Sequence, residues 1–186
     1  GTTSFTHLFN KLGYKSYHWV YRNNKDYIGN WIKKNKLRNE KLLSFIPEHE
    51  GKEIAVTQMD VCINEKNCYW PQISDFKQLY EENPDAIFIL NMRNPVDILK
   101  SMKKWADYDK RMLKYNPELF NGLHGTDDQK IIQLIQIHFY NVIQFFQKKK
   151  DAKFLVYHII TDNIEKLNKY IDTKGMEFPK VNKAKK

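Results

Sequence analysis

Apolar residues recur at helical spacing from the first turn of the chain: Phe5, Leu8, Phe9 and Leu12 share one face of residues 4–12, and Gly13 stands where a helix C′ residue belongs. The pattern then changes to a short β-like run over residues 14–20, closed by a polar, Asn-rich break at residues 22–25. Residues 26–45 return to a charged helical pattern, read as two helices joined near residues 36–39. A second strand is expected over residues 53–59, and Pro71 opens a helix through residue 80 that Asn83 and Pro84 close. Residues 86–92 form the near-continuous apolar run of a strand buried on both faces of a parallel sheet. A helix follows at once: Asn94 is placed to cap it, Pro95 takes the first helical position and Asp97 meets the positive end of the dipole. Residues 131–146 carry the longest helical stripe, residues 153–160 the last strand and residues 163–171 the last helix. Strands separated by helices throughout imply a three-layer α/β/α domain with a central parallel sheet, in which ligands sit beyond the carboxyl ends of the strands.

Size and composition narrow this picture without redirecting it. The 186 residues suffice for one domain over residues 1–186 with a real core. The hydrophobic share is 41%, and no apolar run nears the roughly 18 residues of a membrane helix, so no transmembrane segment is expected. The net charge of +9 attracts anions, whether nucleic acid, nucleotide phosphate, acidic glycan or a membrane face. Much of the excess sits in Lys148, Lys149 and Lys150 and in a C-terminal group around Lys180 to Lys186, which read as a solvated helix end and tail. No nucleic-acid reader motif accompanies the charge, so no specific nucleic-acid partner is expected. Cys62 and Cys68, with no His nearby, suit neither a zinc site nor a disulfide-rich scaffold; reduced thiols and a cytoplasmic location are the expectation.

Chemistry concentrates at a few strand and helix ends. Gly1-Thr2-Thr3-Ser4 leads straight into the first helix, and a glycine-and-hydroxyl turn there offers N–H groups, hydroxyl donors and a favourable dipole to a phosphate, although the same residues are also good caps. Arg93 follows the apolar strand, where its fork can hold a phosphate, and Ser101, eight residues on, can approach the same anion from the next helix. Taken singly, each is equally a surface Arg and an exposed helical Ser. Two strand-end residues are candidates for a general base: Asp60, otherwise a helix cap, and His18, otherwise a structural histidine. His138 lies on the apolar stripe of the long helix and reads as a packing residue, while Trp19, Trp70 and Trp105 suit either an acceptor pocket or the core.

Together these segments resemble the sulfotransferase superfamily, whose 5′-phosphosulfate loop reads Gly-Thr-Thr-Ser or Trp and whose 3′-phosphate motif reads Arg-Asn or Asp-Pro-x-Asp with a Ser after it. Here they are Gly1 to Ser4 and Arg93-Asn94-Pro95-Val96-Asp97 with Ser101. The chain is similar in particular to a soluble branch, through Gly13-Tyr14, Tyr17-His18, Asp60 and the tail Phe178-Pro179-Lys180-Val181-Asn182. The resemblance implies a P-loop α/β enzyme that moves a sulfuryl group from 3′-phosphoadenosine-5′-phosphosulfate (PAPS) to a hydroxyl or amine, leaves 3′-phosphoadenosine-5′-phosphate (PAP) and needs no metal. It implies that Gly1, Thr2, Thr3 and Ser4 wrap the 5′-phosphosulfate, that Arg93 and Ser101 hold the 3′-phosphate, and that the tail at Asn182 and Lys183 closes on the nucleotide. The strand and the Lys that precede Gly-Thr-Thr in the family are not in the sequence, which is read as lacking its first strand. A small-molecule or glycan acceptor is expected in a pocket built by residues 22–51 and 108–128. The alternatives are a P-loop small-molecule kinase, which would want a Gly-Lys pair and a metal carboxylate, and a sulfotransferase-like module that only binds.

Overall fold

The computed structural model describes residues 2–22, 26–47 and 53–179. Helix α1 (Thr2–Leu12) ends at Gly13, whose φ of +97° suits glycine, and the chain turns directly into strand β1 (Lys15–His18). Helix α2 (Ile28–Leu37) precedes strand β2 (Ile54–Gln58), which pairs parallel to β1. A hairpin of β3 (Val61–Asn64) and β4 (Asn67–Tyr69) leads to the short helices α3 (Pro71–Ser74) and α4 (Phe76–Glu82). Strand β5 (Phe88–Met92) runs into α5 (Pro95–Lys103), capped as expected by the Asn94 side chain, which accepts from Val96 N at 2.9 Å. Helix α6 (Tyr108–Tyr115) and a 3-10 turn (Pro117–Phe120) follow. Helix α7 (Asp127–Gln147) opens on a Thr126–Gln129 capping box and returns the chain to β6 (Phe154–His158), parallel to β5.

The mixed α/β architecture is the expected one, and its parallel pairs form two separate two-stranded sheets, β1–β2 and β5–β6. Both are covered on both faces. Phe5, Leu8, Phe9 and Leu12 of α1 pack against Ala55 of β2 and against Leu155 and Tyr157 of β6, so one helix spans both sheets. On the other face, Val142 and Phe146 of α7 meet Leu90, with Phe146 stacked on Phe154 at 4.3 Å between ring centroids. Ile28 and Ile32 of α2 join Tyr17 and Leu79 beside β1. Each fully buried Leu or Ile here contributes about 1.5–3 kcal/mol.

Four local expectations are corrected by tertiary contacts. Residues 26–45 hold one helix followed by turns, because buried Asn35 donates to the carbonyls of Lys41 and Leu42 and folds the chain back. The helix expected from Pro71 is split at Asp75, whose buried carboxylate is held by Lys36 and by the Tyr69 hydroxyl at 2.5 Å. Residues 163–171 form only the 3-10 segment Ile164–Lys169, in which Ile164 and Leu167 eclipse and both enter the core. Cys62 and Cys68 are not reduced thiols: they sit opposite each other in the β3–β4 hairpin and form a disulfide. An Asx turn, with Asn64 Oδ1 accepting from Asn67 N at 3.1 Å, closes that hairpin. Among the described residues no helix is long and apolar enough to cross a membrane.

Candidate active site

The direct turn from α1 into β1 puts the N-terminus of α1 at the carboxyl ends of the parallel strands, and side-chain bonds tie it there. Thr2 Oγ1 donates to Gln58 Oε1 at 3.2 Å, and the hydroxyls of Thr6 and Thr57 are 2.6 Å apart. Thr57 in turn donates to the Tyr17 carbonyl at 3.2 Å and lies 3.3 Å from His18 Nδ1. The Thr57 hydroxyl thus ties the His18 ring to the Tyr17 carbonyl and to Thr6, with either His18 Nδ1 or Thr57 Oγ1 able to donate between them. Burial pushes the His18 pKa below the usual histidine value, while the Asp60 carboxylate pulls the other way without overcoming it. The ring is therefore neutral at neutral pH. Trp19, directly after it, is left-handed with φ 65° and partly exposed, a backbone strain that ends β1 at the site.

Asp60 follows β2 and is 9% exposed. Its Oδ2 accepts from Gln58 Nε2 at 3.2 Å and from the Tyr108 hydroxyl, and its Oδ1 from Gln72 Nε2 at 3.2 Å. Trp70 Nε1 donates to the Tyr108 hydroxyl at 2.9 Å. Thr2, Gln58, Asp60, Tyr108 and Trp70 thus form one continuous hydrogen-bonded path. A carboxylate offers about four lone-pair positions, and three are used here.

Arg93 leaves the carboxyl end of β5, and its Nε is buried without a hydrogen-bond partner among the described residues; Asn91 Oδ1, two residues earlier, is likewise unpaired. Ser101 is half-buried on α5, and among the described residues no hydrogen bond joins it to Arg93. The structure therefore brings Thr2, His18 and Asp60 together and sets Arg93 and Ser101 on the neighbouring β5–α5 unit. Thr3 and Ser4 lie in the first turn of α1, with Ser4 buried. Gly1, Asn182 and Lys183 lie outside the described residues.

Trp70 is buried at 3% exposure and serves the Asp60 path, whereas Trp105 is 66% exposed. His138 packs edge-on against Phe76, and burial drives its pKa down to about 4. Gln58, Gln72 and Tyr108 are not singled out by the sequence pattern. Gln58 carries the one available signal, since it stands two places before Asp60 at the end of the same strand.

The sulfotransferase domain family matches the chain over residues 1–186. The chain belongs to that family and is of the transferase class it defines. No curated protein and no solved structure gives a significant match.

Proposed function

We propose that residues 1–186 act as one domain that transfers a sulfuryl group from PAPS to a hydroxyl or amine of a small-molecule or glycan acceptor, releasing PAP. The observation that carries this reading is the path from Thr2 through Gln58 to Asp60, which joins a helix N-terminus suited to an anion to a group able to take a proton. The donor fits the residues present. Its 5′ end suits the start of α1 at Thr2, Thr3 and Ser4, and Gly1 joins them on resemblance alone. Its 3′-phosphate suits Arg93, whose buried Nε–H has no other partner among the described residues, together with Ser101 on α5, the helix that follows the Arg93 strand. Asn182 and Lys183 join this set on resemblance alone.

The nucleotide supplies an activated sulfuryl group on a phosphate leaving group. Asp60 takes the acceptor proton on its remaining lone pair as the bond from the acceptor oxygen or nitrogen to sulfur forms and the S–O bond to the phosphate breaks, the electron pair departing on the phosphate. Donors at the start of α1 stabilise that departing charge. A second base is favoured by one observation: burial lowers the His18 pKa and so favours the neutral ring, and Thr57 Oγ1, 3.3 Å from its Nδ1, holds that ring at the strand end. The Cys62–Cys68 disulfide supports a compartment less reducing than the cytoplasm.

Turnover of labelled PAPS in Asp60→Asn and His18→Asn decides between the bases. Under this reading Asp60→Asn lowers kcat by about 10²- to 10⁴-fold and leaves PAP affinity within about twofold, while His18→Asn costs less than about tenfold. The opposite ranking moves the base to His18. Tight PAP binding without turnover in the unmodified chain would leave a module that only binds.

A further inference from the structure

We propose that Tyr108 is a positioning residue for sulfuryl transfer, its hydroxyl fixing the Asp60 carboxylate in the orientation from which it takes the acceptor proton; this rests on the reading of Asp60 as the base. Tyr108 and Asp60 stand 48 residues apart in the chain and meet because α6 packs on β3, immediately after Asp60. The Tyr108 hydroxyl accepts from Trp70 Nε1 at 2.9 Å and donates to Asp60 Oδ2, so its one proton has one destination. The Trp70 indole, 3% exposed, also packs edge-on against the Tyr108 ring at 5.6 Å between centroids. The donor is held at both the ring and the hydroxyl.

The backbone leading to Tyr108 carries strain consistent with that role. Ala106 and Asp107, immediately before it, are both left-handed, with φ 45° and 57°, a conformation that disfavours residues bearing a Cβ. Packing alone asks only for an aromatic ring, which a Phe would supply. A buried hydroxyl is tolerated only with partners, and here they are an indole and the candidate base. Burial and the adjacent carboxylate push the Tyr108 pKa well above the usual phenol range, so the hydroxyl holds its proton and acts on Asp60 as a donor throughout.

The test is a double-mutant cycle on the full chain with labelled PAPS, using a phenol and a sugar alcohol as acceptor probes. Tyr108→Phe keeps the ring and removes the hydroxyl. The expected result is a fall in kcat of about 10- to 100-fold with acceptor KM and PAP affinity within about twofold, and no further loss when Tyr108→Phe is added to Asp60→Asn. An unchanged kcat in Tyr108→Phe, with Asp60→Asn strongly impaired, overturns the proposal and leaves the base intact. Losses that multiply in the double variant also overturn it, since they would show Tyr108 acting apart from Asp60. An active Asp60→Asn, or no turnover in the unmodified chain, overturns the base and the proposal together. The Trp70 indole proton resonance reads the same path without turnover: it moves in both Tyr108→Phe and Asp60→Asn, and indifference to Asp60→Asn would break the relay.

Discussion

Arg93 shows what one side chain does with an unmet bond. A guanidinium offers five N–H donors in a rigid fork, and burying its Nε without a partner costs free energy that an arriving anion returns. Arg93→Ala is therefore expected to weaken PAP binding by one to two decades, about 1.4–2.8 kcal/mol, in isothermal titration. Arg93→Lys should recover only part of that, because a point charge lacks the fork. Equal affinities in all three chains would remove Arg93 from the donor site. At this scale the strand-end positions of Arg93, Asp60 and His18 are legible in the sequence, because each closes a strand pattern. Gln58, Gln72 and Tyr108 are not legible as a set, because what makes them matter is a shared carboxylate reached from three separate segments.

Among the elements, α2 and the β2–β3 connection approach closely at one glycine. Gly29 sits in the first turn of α2, and a Cβ there would lie 2.7 Å from the Met59 carbonyl oxygen and 2.8 Å from Val61 Cγ1, the two residues that flank Asp60. Backbone at that distance cannot yield cheaply. Gly29→Ala should destabilise the fold by about 1–3 kcal/mol in urea unfolding and also lower kcat by displacing Asp60. Normal stability with normal turnover would mean that the turn moves freely. Elements with strong end signals are legible along the chain, as with β5 and the Asn94-capped α5. The β3–β4 hairpin is not, because strands of four and three residues are too short to display alternation, and its disulfide is hidden with it.

Across the whole molecule, His138 couples global stability to pH. Burial against Phe76 and Phe139 lowers its folded pKa to about 4 from a usual 6.5. Between those values the unfolded chain binds a proton that the folded chain refuses. Its contribution is thus intact above about pH 6.5, falls as pH drops through that window and is gone below about pH 4, a loss of up to about 3 kcal/mol. Urea unfolding at pH 7 and pH 4.5 should show a larger loss for the native chain than for His138→Gln; equal losses would assign the acid sensitivity to other groups. The sequence by itself determined the mixed α/β order in outline, the strand ending at Met92 and the Asn94-capped helix that follows it, since periodicity and capping residues are local properties written along the chain. Only the tertiary structure decided that α1 spans two separate parallel pairs, that Cys62 meets Cys68, and that Trp70, Tyr108 and two glutamines converge on Asp60. Those are contacts between distant segments, set by which surfaces must leave water together, and no local pattern encodes them.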